Sequence, residues 1–246
     1  MFQPTPIGHP VIRCRITRRR PTSGSPYPEY ELFLEGASDS RFFLFSARRR
    51  TNARGSIYKI SMNRIDSGQF DERIVAKVKS NFLGTLFSIY DSKAGWRRDR
   101  NEQAAVLYQP NLLGLRGPRK FLLLLPGLTE DDKIKPLTYK AGECRLHNQF
   151  TDDQGIRNIV VLRNKEPLWN DGKRSSCMFV CDQDGKIDVD SQSYVLNFSD
   201  RVSQASVKNF QVVHHLDRTT RLSHTISPNF PRHSRLYRAA VWEGWP

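Results

Sequence analysis

Apolar residues recur along the chain in short blocks, and clusters of Gly, Pro, Asn and Asp separate one block from the next. The blocks are rich in β-branched and aromatic residues and helical spacing is rare, which predicts an all-β fold. A sheet with this many strands favours a closed barrel, because closure removes exposed hydrogen-bonding edges. The predicted strands lie at Val11–Thr17, Tyr30–Leu34, Phe42–Ser46, Ser56–Met62, Ile74–Lys79, Thr85–Tyr90, Ala104–Tyr108, Lys120–Leu124, Ile159–Arg163, Met178–Cys181, Tyr194–Asn197 and Phe210–His214.

No linker rich in Pro, Gly or Ser divides the 246 residues, so one domain is predicted. Polar stretches interrupted by Gly or Pro predict loops at Arg18–Pro28, Asp91–Asn101 and Gly127–Gly142. A further segment, Asp171–Ser191, becomes acidic toward its end. The sequence after Asp217 is rich in Arg and His and has neither strand nor helix spacing, so we expect this tail to be irregular.

Lys and Arg outnumber Asp and Glu by 39 to 25, which gives a net charge of +14 at pH 7. Such an excess attracts phosphate-rich partners, either nucleic acid or anionic lipid. The longest apolar run, Phe121–Leu125, is far shorter than the roughly 20 residues that a transmembrane helix needs. We therefore predict no transmembrane segment and only peripheral membrane contact. No signal peptide precedes the four cysteines, so we expect reduced thiols.

Two lysines in one predicted strand are the first candidate site. Side chains alternate between the faces of a strand, so Lys77 and Lys79 project to the same side and Val78 to the other. Two ammonium groups at this spacing can bracket adjacent phosphates on one ring. On spacing alone, a solvated strand face is the favoured interpretation of the pair.

The densest basic run, Arg48-Arg49-Arg50 followed by Arg54, lies between two predicted strands and is expected on a hairpin loop. It fits either a solvated turn or an auxiliary patch that attracts polyanions.

Common catalytic signatures are missing, since the sequence contains no G-x-S-x-G elbow, Walker lysine loop or zincin helix. We therefore expect a non-enzyme with no catalytic residues. Cys177 and Cys181, with His214 and His215 further along, invite comparison with zinc sites. The three-residue interval between the cysteines and the adjacency of the histidines fit such a site poorly. We expect no metal and no cofactor.

Several segments resemble the Tubby C-terminal domain family. The most specific is YVLNFSDRVSQASVKNFQ, and the others lie near the lysine pair, before the predicted strand at Lys120, around Trp169 and at the start of the chain. The matching segments are Val11–Thr17, Tyr27–Tyr30, Ala76–Asp91, Asn111–Lys120, Pro167–Asp171 and Tyr194–Gln211.

This resemblance implies a closed, twelve-stranded β-barrel around a central apolar helix, and a basic pocket for phosphatidylinositol bisphosphate headgroups on the cytoplasmic membrane face. The family's K-x-R lipid-binding pair falls on Lys77 and Lys79, and a third family arginine falls on Arg100. Lysine at position 79 keeps the charge but lacks the bidentate fork of arginine. Ile57 stands where the family has asparagine, so one polar contact to the headgroup is expected to be lost.

The sequence also departs from the family pattern. We expect a Tubby-like barrel domain over 1–217, with an insertion at about 172–190, and a divergent basic tail over 218–246 that lacks the family's final hydrophobic helix. The barrel is then expected to be incomplete. An unfilled apolar lumen forfeits roughly 2–5 kcal/mol for each large side chain, so the resemblance predicts a low soluble yield and a broad thermal transition.

The function that the resemblance implies is a phosphoinositide-binding adaptor, peripheral at the plasma membrane, that delivers membrane receptors to the primary cilium and is released toward the nucleus when the lipid is cleaved. Two alternatives are a DNA-binding transcriptional regulator, which the net charge also fits, and a truncated variant without function.

Overall fold

The computed structural model describes part of the chain, and every structural statement below concerns these residues. They are residues 12–21, 26–52, 55–92, 102–109, 120–129, 133–135, 145–151, 158–165, 168–170, 193–195 and 210–216.

The described residues form strands, one short α-helix and three single turns of 3-10 helix. The strands are β1 (Cys14–Arg19), β2 (Glu29–Glu35), β3 (Arg41–Asn52), β4 (Gly55–Ser61), β5 (Ile74–Ser80), β6 (Leu86–Asp91), β7 (Glu102–Tyr108), β8 (Phe121–Pro126), β9 (Ile159–Asn164), β10 (Leu168–Asn170), β11 (Ser193–Val195) and β12 (Val212–His214). The helix α1 is Leu146–Thr151, and the 3-10 turns are Ala37–Asp39, Ile65–Ser67 and Phe70–Arg73.

In this part of the chain, ten strands form one antiparallel sheet, in the order β1 to β9 followed by β12. Strands β10 and β11 pair separately. The prediction of an all-β fold is confirmed, and the described sheet is not closed, which agrees with an incomplete barrel. The predicted strand at Met178–Cys181 lies outside the described residues. Sequence reasoning did not predict α1 or the 3-10 turns.

The prediction of a hairpin loop at Arg48–Arg50 is wrong. These arginines lie inside β3, where Arg48 pairs with Lys59, Arg49 with Tyr58 and Arg50 with Ile57 of β4. The physical reason is that the polar run finds partners on neighbouring strands: Glu29 of β2 lies directly opposite Arg48. Cross-strand pairs of opposite charge, and guanidinium groups placed near aromatic rings, favour an extended strand here.

The chain divides into two compact units. The first comprises residues 1–107 and 123–160, and its core contains buried apolar residues from the sheet, the 3-10 turns and α1. These core residues include Ile65, Phe70, Ala105, Leu124 and Leu146.

The second unit comprises residues 108–122 and 161–246. Phe121 packs against the rings of Tyr108 and Phe210, with centroids 5.5 and 5.0 Å away. The Asn164 side chain accepts a hydrogen bond of 2.9 Å from the backbone N–H of Phe121. Val161 and Leu162 of β9, which belong to the same unit, are almost fully buried.

The sheet of the first unit has two chemically different faces. On one face, a row of residues paired across neighbouring strands is mostly charged, and we call this the polar face. The row is Glu29, Arg48, Lys59, Lys77 and Tyr90. The opposite face carries partly exposed aromatic and aliphatic residues, among them Tyr58, Ile60, Val78 and Ile89. Since paired residues share a face, the register fixes which side chains can meet at a site.

Candidate anion-binding cleft

Lys77 and Lys79 lie on the same face of β5, as the alternation of strand side chains predicts. Lys77 is opposite Lys59 and Tyr90, whereas Lys79 is opposite Ile57 and Ser88. Both lysines are partly buried. Two residues apart on one strand, their Cα atoms are separated by about 7 Å.

A cleft of about 410 Å³ lies at the end of β5. Its size is in the range of small-molecule sites, which is roughly 300–1,000 Å³. The described residues that line it are two cations, several hydroxyl and amide side chains and two aliphatic residues, and no Asp or Glu is among them. They are Ser56, Ile57, Lys79, Ser80, Asn81, Leu86, Ser88, Tyr90 and Arg145.

Lys79 is the residue of the predicted pair that lines this cleft. Its Nζ lies 5.8 Å from the centroid of the Tyr90 ring, so the cleft places the ammonium beside an aromatic face. Ile57 forms part of the wall, where the resemblance led us to expect a missing polar contact. Lys77 is not among the described lining residues and lies on the same face two residues before Lys79, further from the end of β5.

One wall of the cleft forms where the β3–β4 hairpin closely approaches the β5–β6 hairpin. The backbone N–H of Ser56 donates a 3.0 Å hydrogen bond to Oγ of Ser80. Gly55 has φ +139°, and a Cβ at this position would stand 2.5 Å from the carbonyl oxygen of Ser80. Glycine is therefore required here both for its conformation and for space.

Arg145 is the second cation of the cleft, and it immediately precedes α1. The backbone N–H of Leu146 donates a 2.7 Å hydrogen bond to Oε2 of Glu102, a residue only 3% exposed. The carbonyl of Arg145 accepts hydrogen bonds from the N–H groups of Asn148 and Gln149. These contacts fix the backbone from which the exposed arginine side chain extends.

The second residue of α1, His147, is partly buried. Burial lowers the pKa of His147, the Glu102 carboxylate opposes that shift, and the Arg145 guanidinium adds to it. Nδ1 of His147 is buried without a hydrogen-bond partner. The neutral imidazole is therefore the favoured form in the folded protein.

The β3 arginines each contact residues within the fold. Nε of Arg48 lies 2.9 Å from Oε1 of the buried Glu29, an ion pair whose N–H is not aimed at the carboxylate oxygen. Its guanidinium also lies 4.9 Å from the centroid of the Phe70 ring, and Nη2 donates to the carbonyl of Ile65. Arg48 is thus committed to the polar face of the sheet.

Arg49 points to the opposite face. Its guanidinium lies 4.5 Å from the Tyr27 ring centroid and 6.0 Å from that of Tyr58, and it donates two hydrogen bonds, of 3.1 and 2.8 Å, to Oγ of Ser56. Burial raises the pKa of Tyr58, while Arg49 lowers it and Tyr30 raises it further. Arg49 therefore supports a residue of the cleft wall without lining the cleft itself.

Arg50 makes an exposed contact. Its Nη2 lies 3.3 Å from Oδ2 of Asp71, and the same carboxylate accepts a 2.6 Å hydrogen bond from Nζ of Lys59. This bond from Lys59 is the largest cause of the lowered pKa of Asp71.

Two predicted site residues, Arg54 and Arg100, lie outside the described residues, as do Cys177 and Cys181. His214 is in β12, and His215 follows it with Nδ1 3.1 Å from the carbonyl oxygen of Val161. Among the described residues, no group of three or more potential ligands is placed to hold a metal ion.

Sequence reasoning missed several residues of the cleft. Ser88 and Tyr90 could have been found from the lysine pair, because antiparallel pairing across the turn after β5 places β6 residues opposite it. Arg145 is 66 positions from Lys79 along the chain, and no local pattern indicates that the two line one cleft.

The chain belongs to the Tub family, whose sequence model matches residues 1–232. It is 35% identical over 227 residues to Tubby-related protein 3 of Homo sapiens, covering 88% of this chain and 47% of that protein. It is 38% identical over 218 residues to Protein king tubby 2 of Aedes aegypti, covering 87% and 48%. The chain thus spans about half the length of these relatives. In the part that the structure describes, no helix is both long and apolar enough to cross a membrane.

Proposed function

We propose that this Tub family chain is a membrane-associated binding module for phosphatidylinositol bisphosphate. The observation that carries the proposal is the cleft at the end of β5, where Lys79 and Arg145 line one cavity together with hydroxyl and amide groups. Cations attract phosphate, and hydroxyls and amides suit the ring hydroxyls of an inositol.

The two cations differ in the contacts they can make. Arg145 can grip one phosphate through two parallel N–H groups, whereas Lys79 acts as a compact point charge. Lys77, on the same face of β5, adds attraction from outside the cleft. We therefore expect Lys79 and Arg145 to contribute most of the affinity and Lys77 less.

The wider role that we propose is that of a non-enzymatic adaptor. In this role the chain is peripheral at the cytoplasmic face of the plasma membrane and takes part in delivering receptors to the primary cilium, with release toward the nucleus. Family membership and the cationic cleft support this role. The chain covers 47% of its human relative, so we propose cargo recognition for the whole protein and not for this chain alone.

The proposal is tested by sedimenting the protein with vesicles that contain either bisphosphorylated phosphatidylinositol or charge-matched phosphatidylserine. The site variant is Lys79→Ala/Arg145→Ala. The control is Arg41→Ala/Arg73→Ala. It removes the same charge from exposed positions at the start of β3 and just before β5, which are the strand ends opposite the cleft.

We expect the wild type and the control to prefer the phosphoinositide vesicles, and the site variant to lose that preference by at least about tenfold, since hydrogen bonds to charged groups contribute roughly 1.5–3 kcal/mol each. Equal binding of the wild type to both vesicle types, or an unchanged site variant, would remove the specific cleft from the account and leave diffuse charge.

Competition separates lipid binding from DNA binding. Soluble inositol trisphosphate should displace the wild type from vesicles, and duplex DNA at equal phosphate concentration should do so far less. Stronger displacement by DNA would favour the nucleic-acid alternative, for which salt-dependent phosphate contacts are the expected mode.

A further inference from the structure

The turn between β5 and β6 has a fixed conformation. Oδ1 of Asn81 accepts hydrogen bonds from the backbone N–H groups of Thr85 and Leu86, at 2.9 and 3.2 Å. Its Nδ2 donates a 2.8 Å bond to Oγ1 of Thr85. The backbone bond from Gly84 N–H to the Asn81 carbonyl and the positive φ of Gly84, +66°, complete the turn. The tip is thus held by its own polar residues.

This turn presents two large apolar side chains to solvent. Phe82 is 81% exposed and Leu83 is 77% exposed. Among the described residues they are the most exposed large hydrophobic side chains, and the next values are 58%. Neither side chain is needed to hold the turn, because Asn81 and Gly84 already do so. An apolar pair at a fixed, projecting tip indicates a contact surface.

The apolar tip adjoins the cationic cleft. Ser80 and Asn81, which lead directly into the tip, are themselves lining residues of the cleft. The β3–β4 hairpin ends beside them: the backbone N–H of Ser56 donates a hydrogen bond to Oγ of Ser80, and a Cβ at Gly55 would stand 2.5 Å from the carbonyl oxygen of Ser80 and 3.1 Å from that of Asn81. The tip, the cleft and the C-terminal end of β3 therefore lie together, at the same ends of these neighbouring strands.

We propose that Phe82 and Leu83 insert into the boundary between headgroups and acyl chains of a bilayer while the adjacent cleft holds the phosphorylated headgroup. Charge complementarity favours a lipid surface as the occupant, because the cations beside the tip match an anionic membrane. Apolar insertion combined with electrostatic attraction is the usual means by which peripheral proteins bind a membrane interface. The inference rests on the proposed function for its second contact.

The first experiment compares Phe82→Ser/Leu83→Ser with Phe42→Ser/Met62→Ser. The control pair removes exposed apolar side chains, 58% and 51% exposed. They lie at the start of β3 and just after β4, at the strand ends opposite the tip. Vesicle binding is measured by sedimentation, and headgroup binding by calorimetry with soluble inositol trisphosphate.

We expect the tip variant to bind vesicles about 10- to 100-fold more weakly, given the transfer free energy of one or two large apolar side chains. Its affinity for soluble headgroup should match that of the wild type, and the control should match the wild type in both assays. Unchanged vesicle binding by the tip variant would overturn the insertion. An equal loss in both assays would also overturn it, since the tip would then act on the cleft.

A depth measurement distinguishes this inference from the proposed function. In Phe82→Trp, the fluorescence added above the wild-type background should be quenched by lipids brominated on their acyl chains. Quenching without headgroup binding in calorimetry would support the insertion and overturn the proposed function. Headgroup binding and vesicle binding without quenching would overturn the insertion and leave the proposed function standing.

Discussion

Two basic regions of this chain, the β3 arginines and the cleft at the end of β5, differ in what surrounds their charges. In β3, Arg48 contacts the buried Glu29, Arg49 lies near two tyrosine rings, and Arg50 forms an ion pair with Asp71. In the cleft, Lys79 and Arg145 line an open cavity whose described walls carry no acid.

The difference shows that the density of basic residues in a sequence does not identify a binding site. The arginine run is the most basic stretch of the chain, yet its geometry serves the sheet, as the 2.9 Å ion pair of Arg48 illustrates. The cleft collects its two cations from β5 and from the residue before α1. The groups around a charged side chain determine whether it can bind a ligand, more than the number of charges in the same stretch of sequence does.

The largest expected effect is on stability, in the first region. Arg48→Met removes a cation whose Nε lies 2.9 Å from the carboxylate of Glu29, a residue 2% exposed, and should lower the free energy of unfolding by about 3 kcal/mol. Urea denaturation measures this change. The matched variant Arg50→Met breaks an ion pair whose side chains are 61% and 53% exposed, and should cost at most about 1 kcal/mol. Equal losses would show that Arg48 has no special structural role.

A smaller loss is expected at the turn that borders the cleft. Asn81→Ala deletes three side-chain hydrogen bonds and should lower the free energy of unfolding by about 1–3 kcal/mol, since backbone donors lose their acceptor. Asn63→Ala is the control, because its side chain donates one exposed bond, to the carbonyl of Gln69. If the two variants unfold at the same urea concentration, the turn is not held as we describe.

The pH dependence of stability reports on the helix beside the cleft. The pKa of His147 is lowered in the folded state, so the unfolded chain takes up a proton first as the pH falls below 6.5. Stability should therefore decrease as the pH falls from 7.5 to 5.5, and His147→Gln should decrease less over the same window. Parallel curves for the two proteins would contradict the burial of a neutral imidazole.

The smallest effect on stability is expected at the cleft itself. Lys79→Ala should change the free energy of unfolding by at most about 1 kcal/mol, because partly exposed charges contribute little to stability and the Tyr90 ring centroid is as far as 5.8 Å from Nζ. Thermal unfolding measures the change. If Lys79→Ala lowered the free energy of unfolding as much as Arg48→Met, Lys79 would also be a stabilising residue of the fold. The two basic regions would then not differ in the way that we describe.

Much of the sheet could be predicted from the sequence, since alternation and turn residues are local signals. The shared face of Lys77 and Lys79 follows from the same alternation. Whether Arg48–Arg50 form a loop or a strand depends on Glu29 and on aromatic residues of other segments, so the local pattern misled. Arg145 joins the cleft because Glu102 holds the start of α1, a contact that is distant in sequence.

Calorimetric titration with soluble inositol trisphosphate tests the central claim most directly. Lys79→Ala/Arg145→Ala is compared with Arg41→Ala/Arg50→Ala, which removes the same charge from β3. We predict a loss of affinity of at least about tenfold for the cleft pair and less than about twofold for the β3 pair, because in the proposed complex only the cleft pair donates charged hydrogen bonds to phosphate. Equal losses in the two variants would contradict the account and assign binding to overall charge.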